Sequence, residues 1–330
     1  MRIMFVGDIN LGEYYTSFGH GPKSYLEHSN IFEHVKPIFN KADFVVGNLE
    51  AALTDHNFQP NKPESVVLRG SPKQAELLYE TGFRILQVSN NHTVQHGKEG
   101  FDETVTALSE ANILAIGLNN QPLTTISLDN VTAGFLAASD VPDNTDTQQD
   151  SYSRLNSEFL TKVRESVALV DHLFVMLHWG LESSTSPMQY QRDLISELAK
   201  LGVRGVIGSH PHLFYEIWRE NNCIAAPSLG NFVFDLCWDE RLIKTGILDL
   251  EISSDGMVAR IWPVTLSDNG CLPVPQGSPT TIGDTIKIYD LGENMKGEQF
   301  RKLIYFFRNI LKGKFHLKIK FILSKFISLR

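Results

Sequence analysis

Short apolar runs rich in Val, Ile and Phe recur along the chain: IMFVG, DFVVGNL, RILQVS, LAIGL, AGFLAA, HLFVMLHW, RGVIG and IAAPSLGNFVF. Each reads as a strand set into a core. Between several of them the apolar positions switch to three- and four-residue spacing, in NIFEHVKPIF, PKQAELLYETG, FDETVTALSEAN and YQRDLISELAKLG. That spacing lays one apolar stripe along a helix, and Gly or Asn near the end supplies a stop. The alternation predicts an α/β layered fold with helices flanking the sheets. After about residue 230 the pattern changes to GILDLEI, a DG turn and MVARIWPVTL, which predicts an antiparallel hairpin and therefore mixed sheets.

Two polar stretches interrupt this rhythm. SDVPDNTDTQQDSYS (139–153) falls between core strands and is expected to be a surface excursion, whereas LPVPQGSPTTIGDT (272–285) has the Gly, Pro, Ser and Thr content of a connector. The expected organisation is one domain over residues 1–271, a linker over 272–299 and a basic amphipathic tail over 300–330. In the tail Leu303, Ile304, Phe307, Ile310 and Leu311 recur at helical spacing beside Arg301, Lys302, Arg308 and Lys312. Beyond Gly313, FHLKIKFIL alternates with period two, while Phe315, Ile319, Ile322 and Phe326 also fit a helical stripe.

Charge sharpens the contrast between body and tail. The net charge is −8, yet residues 301–330 hold nine Lys and Arg and no acid, which leaves −17 on residues 1–300. An acidic body offers phosphate no basic face, so nucleic acid is not an expected partner. The basic, Phe-rich tail suits the headgroup region of an anionic membrane; packing onto the acidic body or a second subunit is the other reading. Cys223, Cys237 and Cys271 are odd in number and have no CxxC spacing, which fits a reducing compartment rather than a disulfide framework. MRIMFVGD is too short an apolar stretch for a secretory signal, and no run reaches the roughly 18–20 apolar residues of a spanning helix. The expected location is cytoplasmic, peripheral at the inner face of the membrane.

The predicted strands end in polar residues of one chemical kind. Asp8 follows the first, Gly47–Asn48–Leu49–Glu50 closes the second, and Asn90–Asn91–His92 follows the third. His178–Trp179–Gly180 and Gly208–Ser209–His210–Pro211–His212 close two later ones. Oxygen and nitrogen ligands at the carboxyl ends of neighbouring strands converge above one sheet edge, which predicts a metal-binding crevice. The proline between His210 and His212 is expected to hold the pair extended, with both imidazoles on one side.

Taken in order, GDINLG, ADFVVGNLEA, VSNNHTVQHG, LHWG, IGSHPH and SLGNFVFD resemble the poly-gamma-glutamate capsule biosynthesis protein (CapA) family of bacteria, over roughly residues 1–265. The resemblance implies a calcineurin-like metallophosphoesterase fold with two divalent cations, of manganese, iron, magnesium or zinc. It implies Asp8, Glu50, Asn91, His178, His210 and His212 as ligands, with Glu50 shared between the ions and Asn48 the competing choice for that position. His92 is implied as the general acid, acting on an anionic phosphoester or polymer substrate. The implied activity is that of a metal-dependent hydrolase in capsule or extracellular polymer biosynthesis; the alternative is a metal-containing accessory protein that binds the polymer without cleaving it.

Three departures qualify the match. Asn10 stands where many metallophosphoesterases have a histidine ligand, Gln95 where an Asp is common, and Ser183 follows Glu182 where Tyr is commoner. The Gln95 change is expected to remove an acceptor behind the site and the second to alter the pocket wall, with Glu182 lining it. His96 is read as a surface residue or a substitute. Arg69, in VVLRGSP, offers a cation for an anionic substrate or a solvated or capping side chain. Asn231 is assigned to the substrate site or its support, with Phe232 and Phe234 alternating into the core.

Overall fold

The computed structural model describes residues 1–143, 150–254, 256–293 and 297–328, with side chains to residue 324. The middle of the 139–153 excursion, Asp255 of the DG turn and Arg330 lie outside the described residues. Strand Arg2–Ile9 lies inside the first of two large sheets. Parallel to it run Phe44–Leu49, Phe83–Gln87 and Leu114–Ile116 on one side; on the other Lys244–Ser253 pairs antiparallel with it, and Gly256–Ser267 pairs antiparallel with Lys244–Ser253 in turn. The second sheet is built round the parallel strands Val131–Ser139, His172–His178, Gly205–Ser209 and Cys223–Ala226.

The period-2 alternation within these runs explains how the layers stack. Phe5, Val46 and Ile85 of the first sheet face Phe135, Phe174, Met176 and Ile207 of the second in one shared core. Phe174 lies between Phe5 at 5.3 Å and Phe135 at 5.6 Å, centroid to centroid. The intervening residues point outward: Met4, Val6 and Val45 pack against Phe39, Leu78, Phe101 and Leu108. On the far side Leu173, Val175 and Leu177 pack against Phe159, Val163, Ile195 and Leu198. Helices Gln74–Thr81 and Gly97–Glu110 cover one outer face, and Ser157–Ser166 and Gln189–Leu201 the other. Four layers result, which is why the strands are apolar on both sides.

Several sequence expectations change. NIFEHVKPIF forms only the single helical turn Lys36–Phe39, with Pro37 at its start where a missing N–H costs nothing. Its Ile31, Phe32, Val35, Ile38 and Phe39 are all buried nonetheless. IAAPSLGNFVF is two strands in different sheets: Cys223–Ala226 joins the second and Asn231–Val233 pairs with Arg2–Ile9 in the first. The crossing passes tightly behind two strand ends. A Cβ on Gly7 would lie 1.8 Å from the Gly230 carbonyl oxygen, and one on Gly208 1.8 Å from that of Pro227. Only glycine admits this approach.

The segment read as a linker is not a spacer. Leu272–Pro275 and Thr280–Thr281 pair with Gly256–Ser267 in the first sheet, and Thr285–Ile286 pairs with Ile217–Glu220 in the second. The tail is helical in both halves, Glu298–Asn309 and Phe315–Ser328, and it docks on the body. Leu317 is fully buried with Phe18, Leu68 and Phe234, and Phe321 stacks on Tyr15 at 4.4 Å. The buried Lys318 ammonium donates to the carbonyls of Asn309 and Lys312.

Arg301 fastens the first tail helix to Asp239, which Arg241 also engages at 2.8 Å. Burial alone would raise the Asp239 pKa; the hydrogen bonds and charge from Arg241 and Arg301 outweigh it and hold it at about 2, below the ordinary 3.8. A lowered carboxylate stabilises fully above the unfolded value and loses that contribution as pH falls through the folded one. Asp239→Asn, which keeps the hydrogen-bonding shape, is expected to lower the urea midpoint at pH 7. The difference from wild type should shrink below about pH 4 and be gone near pH 2; equal midpoints at pH 7 would show the contact contributes nothing.

Candidate metal centre

Asp8, Glu50, Asn91, His178, His210 and His212 all lie where parallel strands of the two sheets run out on the same edge. Each is buried, with Asp8, Glu50 and His178 at 0 % exposure. They form two groups of converging ligand atoms, Asp8 with Glu50 and His212, and Glu50 with His178 and His210, each within 4.8 Å. Glu50 is common to both. Asn48, the competing choice, touches the cluster through its amide: Nδ2 donates to Asp8 Oδ1 at 2.9 Å and lies 3.3 Å from His178 Nδ1, while Oδ1 accepts from Asn90 Nδ2 at 3.1 Å. It braces the first carboxylate.

The rings are aimed by partners on their far sides. His212 Nδ1 bonds Asn231 Oδ1 at 2.9 Å, and Asn231 Nδ2 donates to the Leu242 carbonyl. Asn231, assigned from sequence to substrate binding, is therefore a fully buried support for His212. His178 Nδ1 meets Ser209 Oγ at 2.9 Å while its Nε2 meets Asn91 Oδ1 at 2.8 Å. With metal–ligand bonds of about 2.0–2.2 Å, a 2.8 Å edge also suits two ligands of one ion.

The extended His-Pro-His expectation is overturned. His210 has φ +97° and His212 φ +60°, both left-handed. This backbone is held by the site: the His210 N–H reaches Asp8 Oδ2 at 3.4 Å, and its ring lies 4.8 Å from that of His178. Strain of this kind persists where surrounding contacts over-determine it.

Electrostatically the cluster suits cations. Neither oxygen of Glu50 receives a hydrogen bond from a donor, nor has His210 Nδ1 a partner, although all three atoms are buried. Burial and then the neighbouring Asp8 push the Glu50 pKa well up. Burial, then the other imidazoles, pushes His178 well down and His210 to about 4. His212 runs the other way: burial would lower it, but the hydrogen bond and charge of Asp8, with Glu182 and Asn231, together raise it. Buried polar atoms are normally paired, and a carboxylate so placed lacks the charge partner that a divalent cation supplies. The nitrogen and oxygen donors fit such an ion.

His92 lies beside the cluster with Nε2 3.8 Å from Glu50 Oε1. Its Nδ1 bonds Gln95 Oε1 at 2.9 Å. Gln95 thus keeps an acceptor where loss of one was expected, as a neutral amide in place of a carboxylate. Burial lowers the His92 pKa, and the Gln95 hydrogen bond offsets part of this. Asn10 is no ligand: its Nδ2 donates to Asp235 Oδ1 at 3.0 Å, and its Oδ1 accepts the Gly12 N–H at 2.8 Å. Phe232 and Phe234 are buried as expected, Phe234 edge-on to the His212 ring.

Glu182 stands at the mouth of the site, open to solvent. Partial desolvation would raise its pKa, yet the charges of His212, His210 and His92, and of Lys302 from the tail, hold it below the ordinary value. Arg69 does not offer its charge to a ligand. It is 3 % exposed, its Nη1 donates to the carbonyls of Thr54 and His56, and it shapes the loop beneath Phe58. His96 is half-buried, bonded through Nε2 to the Val67 carbonyl, so it is neither a ligand nor a free surface residue. Sequence reasoning passed over Ser209 and Asn90, whose only signal was polarity at a strand end.

The family model for the bacterial capsule synthesis protein PGA_cap matches residues 2–236. The chain belongs to this family. It is 25% identical over 292 residues to the PGA biosynthesis protein CapA of Bacillus subtilis (strain 168), covering 83% of this chain and 74% of the relative. The capsule biosynthesis protein CapA of Bacillus anthracis is likewise 25% identical, covering 83% and 69%. Among solved structures, a putative 5'-nucleotidase from Staphylococcus aureus in complex with alpha-ketoglutarate superposes with a TM-score of 0.50 at 14% identity, over 92% of this chain and 58% of that one. At that identity the likeness concerns the fold alone, a layered arrangement of mixed sheets flanked by helices. This PGA_cap family member thus carries a layered α/β fold with residue clusters suited to divalent metal.

Because Glu50 serves both groups, Glu50→Gln is expected to weaken divalent cation binding throughout the site. Asn231→Ala, which leaves every ligand in place, should cost roughly 10–100-fold in affinity. Calorimetric titration with Mn2+ reads both, and a Glu50→Gln affinity equal to wild type would remove Glu50 from the site.

Proposed function

We propose that this PGA_cap family member is a metal-dependent phosphoesterase acting in the assembly or trimming of a capsule or other extracellular polymer. The observation that carries the reading is the buried Glu50 carboxylate, shared by two ligand groups and left without donors, with the His92 imidazole facing it. Asp8 and His212 would hold one divalent cation, Asn91, His178 and His210 a second, and Glu50 would serve both. Bound there, the cations supply Lewis acidity toward phosphoryl oxygens and water.

The chain's own residues do the rest. Asn231 and Ser209 fix the ring planes of His212 and His178, so ligand geometry is set before substrate arrives. Gln95 accepts from His92 Nδ1, which leaves Nε2 facing the cluster to deliver a proton to the leaving oxygen. An amide accepts that hydrogen bond whether the ring is charged or neutral, but it favours the charged form less than a carboxylate would. The capsule setting is taken from the names of the CapA relatives, and an anionic polymer or its phosphoester precursors is the substrate class proposed to go with it.

One observation favours a second reading, an accessory protein that binds polymer without turnover. Asn10, where a histidine ligand is common, is committed to Asp235, so the Asp8 group has fewer ligands. The two readings separate in one experiment: turnover of a phosphoester panel by metal-loaded protein, beside His92→Ala. Loss of roughly 10²–10⁴-fold in kcat with unchanged metal content is the expected result. Full metal content with no turnover would establish the binding role.

A further inference from the structure

The first tail helix, Glu298–Asn309, carries apolar residues on both its inner and its outer side. The inner side lies on the body: Phe306 is buried beside Tyr15, Arg301 binds Asp239, Glu298 accepts from Ser183 Oγ at 3.3 Å, and Lys302 lies over the Trp238 ring at 5.0 Å. Asn309 is 3 % exposed. A second apolar row faces solvent. Phe300, Leu303, Phe307 and Leu311 are 67%, 51%, 60% and 81% exposed, and their spacing of three, four and four places them on one stripe. The second tail helix buries Leu317 and Lys318, stacks Phe321 on Tyr15, and still exposes Phe315 at 45% and Leu323 at 55%. Large side chains exposed in a row mark an interaction surface rather than the scattered apolar exposure of an ordinary exterior.

We propose that this stripe is a docking surface for a bilayer containing anionic lipid. Charge selects that occupant. Arg308, Lys312, Lys314 and Lys320 are exposed along the same segment, and no acid occurs after Glu298, whose carboxylate is engaged by Lys302 and Ser183. A second copy seated on this surface by a two-fold axis would bring like charges together. The body, at −17, is repelled by an anionic surface, so approach is favoured through the tail alone. No helix among the described residues is long and apolar enough to cross a membrane, which leaves the geometry of helices lying in the headgroup plane.

The arrangement also orients the molecule. Lys302 and Glu298, on the inner side of the same helix, adjoin Glu182 and Ser183 at the mouth of the metal centre. Docking the outer side would hold that mouth about one helix diameter, roughly 10 Å, from the lipid surface.

Sedimentation with vesicles tests this on the full chain. Binding to phosphatidylcholine vesicles containing phosphatidylglycerol, weak binding to phosphatidylcholine alone, and loss of binding at high salt are expected. Phe300→Ser with Phe307→Ser should abolish most of the bound fraction while leaving thermal unfolding unchanged, since both residues are exposed. Arg308→Glu with Lys312→Glu should cost about fivefold in partitioning for each basic charge removed. Wild-type protein that stays in the supernatant, or variants that bind as it does, would overturn the proposal. So would a wild-type dimer in solution that the Phe300→Ser, Phe307→Ser pair converts to monomer, because the stripe would then be a self-association surface.

Discussion

A carboxylate buried beside another carboxylate, with no donor to either oxygen, is a costly object in a protein interior. Glu50 is in that position, next to Asp8 and ringed by the imidazoles of His92, His178, His210 and His212. Burial pushes Glu50 toward its protonated form and His178 and His210 toward their neutral forms, so in the absence of a cation protons must balance the charge. A divalent ion relieves both problems together, because it needs the carboxylate ionised and the imidazoles neutral. The surrounding structure serves this constraint. Asn48, Asn231, Ser209 and Gln95 each spend a hydrogen bond on holding a cluster side chain in place.

The fold makes that cluster from distant segments. Two sheets share one Phe-rich core, and their parallel strands end on the same edge, so residues from positions 8 to 212 meet without a dedicated loop to carry them. The crossing at 227–230, admitted by Gly7 and Gly208, brings Asn231 behind His212 and ties the two sheets at the site. The candidate ligands therefore sit at or just beyond strand ends fixed by core packing, which is the rigid support a preorganised site needs.

Much of this was legible in the chain because the chemistry sits at strand ends, and strand ends are what apolar runs reveal. Asp8, Glu50, Asn91, His178, His210 and His212 are all brought together. What stayed hidden depends on tertiary pairing. IAAPSLGNFVF has one continuous apolar period although its halves join different sheets, and Pro211 suggested an extended backbone although Asp8 holds His210 in a left-handed one. Arg69 has the composition of an anion site but donates to the carbonyls of Thr54 and His56 in a neighbouring loop, and Asn10 is claimed by Asp235. The tail's helical stripe was readable, yet its direction was not: periodicity reports that one face is apolar without saying whether that face is covered.

Elemental analysis of protein purified without chelators tests the central claim most directly, since the donor-free Glu50 carboxylate and the two ligand groups stand or fall with the cation. Close to two divalent ions per chain, lost on dialysis against chelator and regained on adding Mn2+ or Zn2+, is the expected result. Protein that is folded and free of metal even after reconstitution would contradict it.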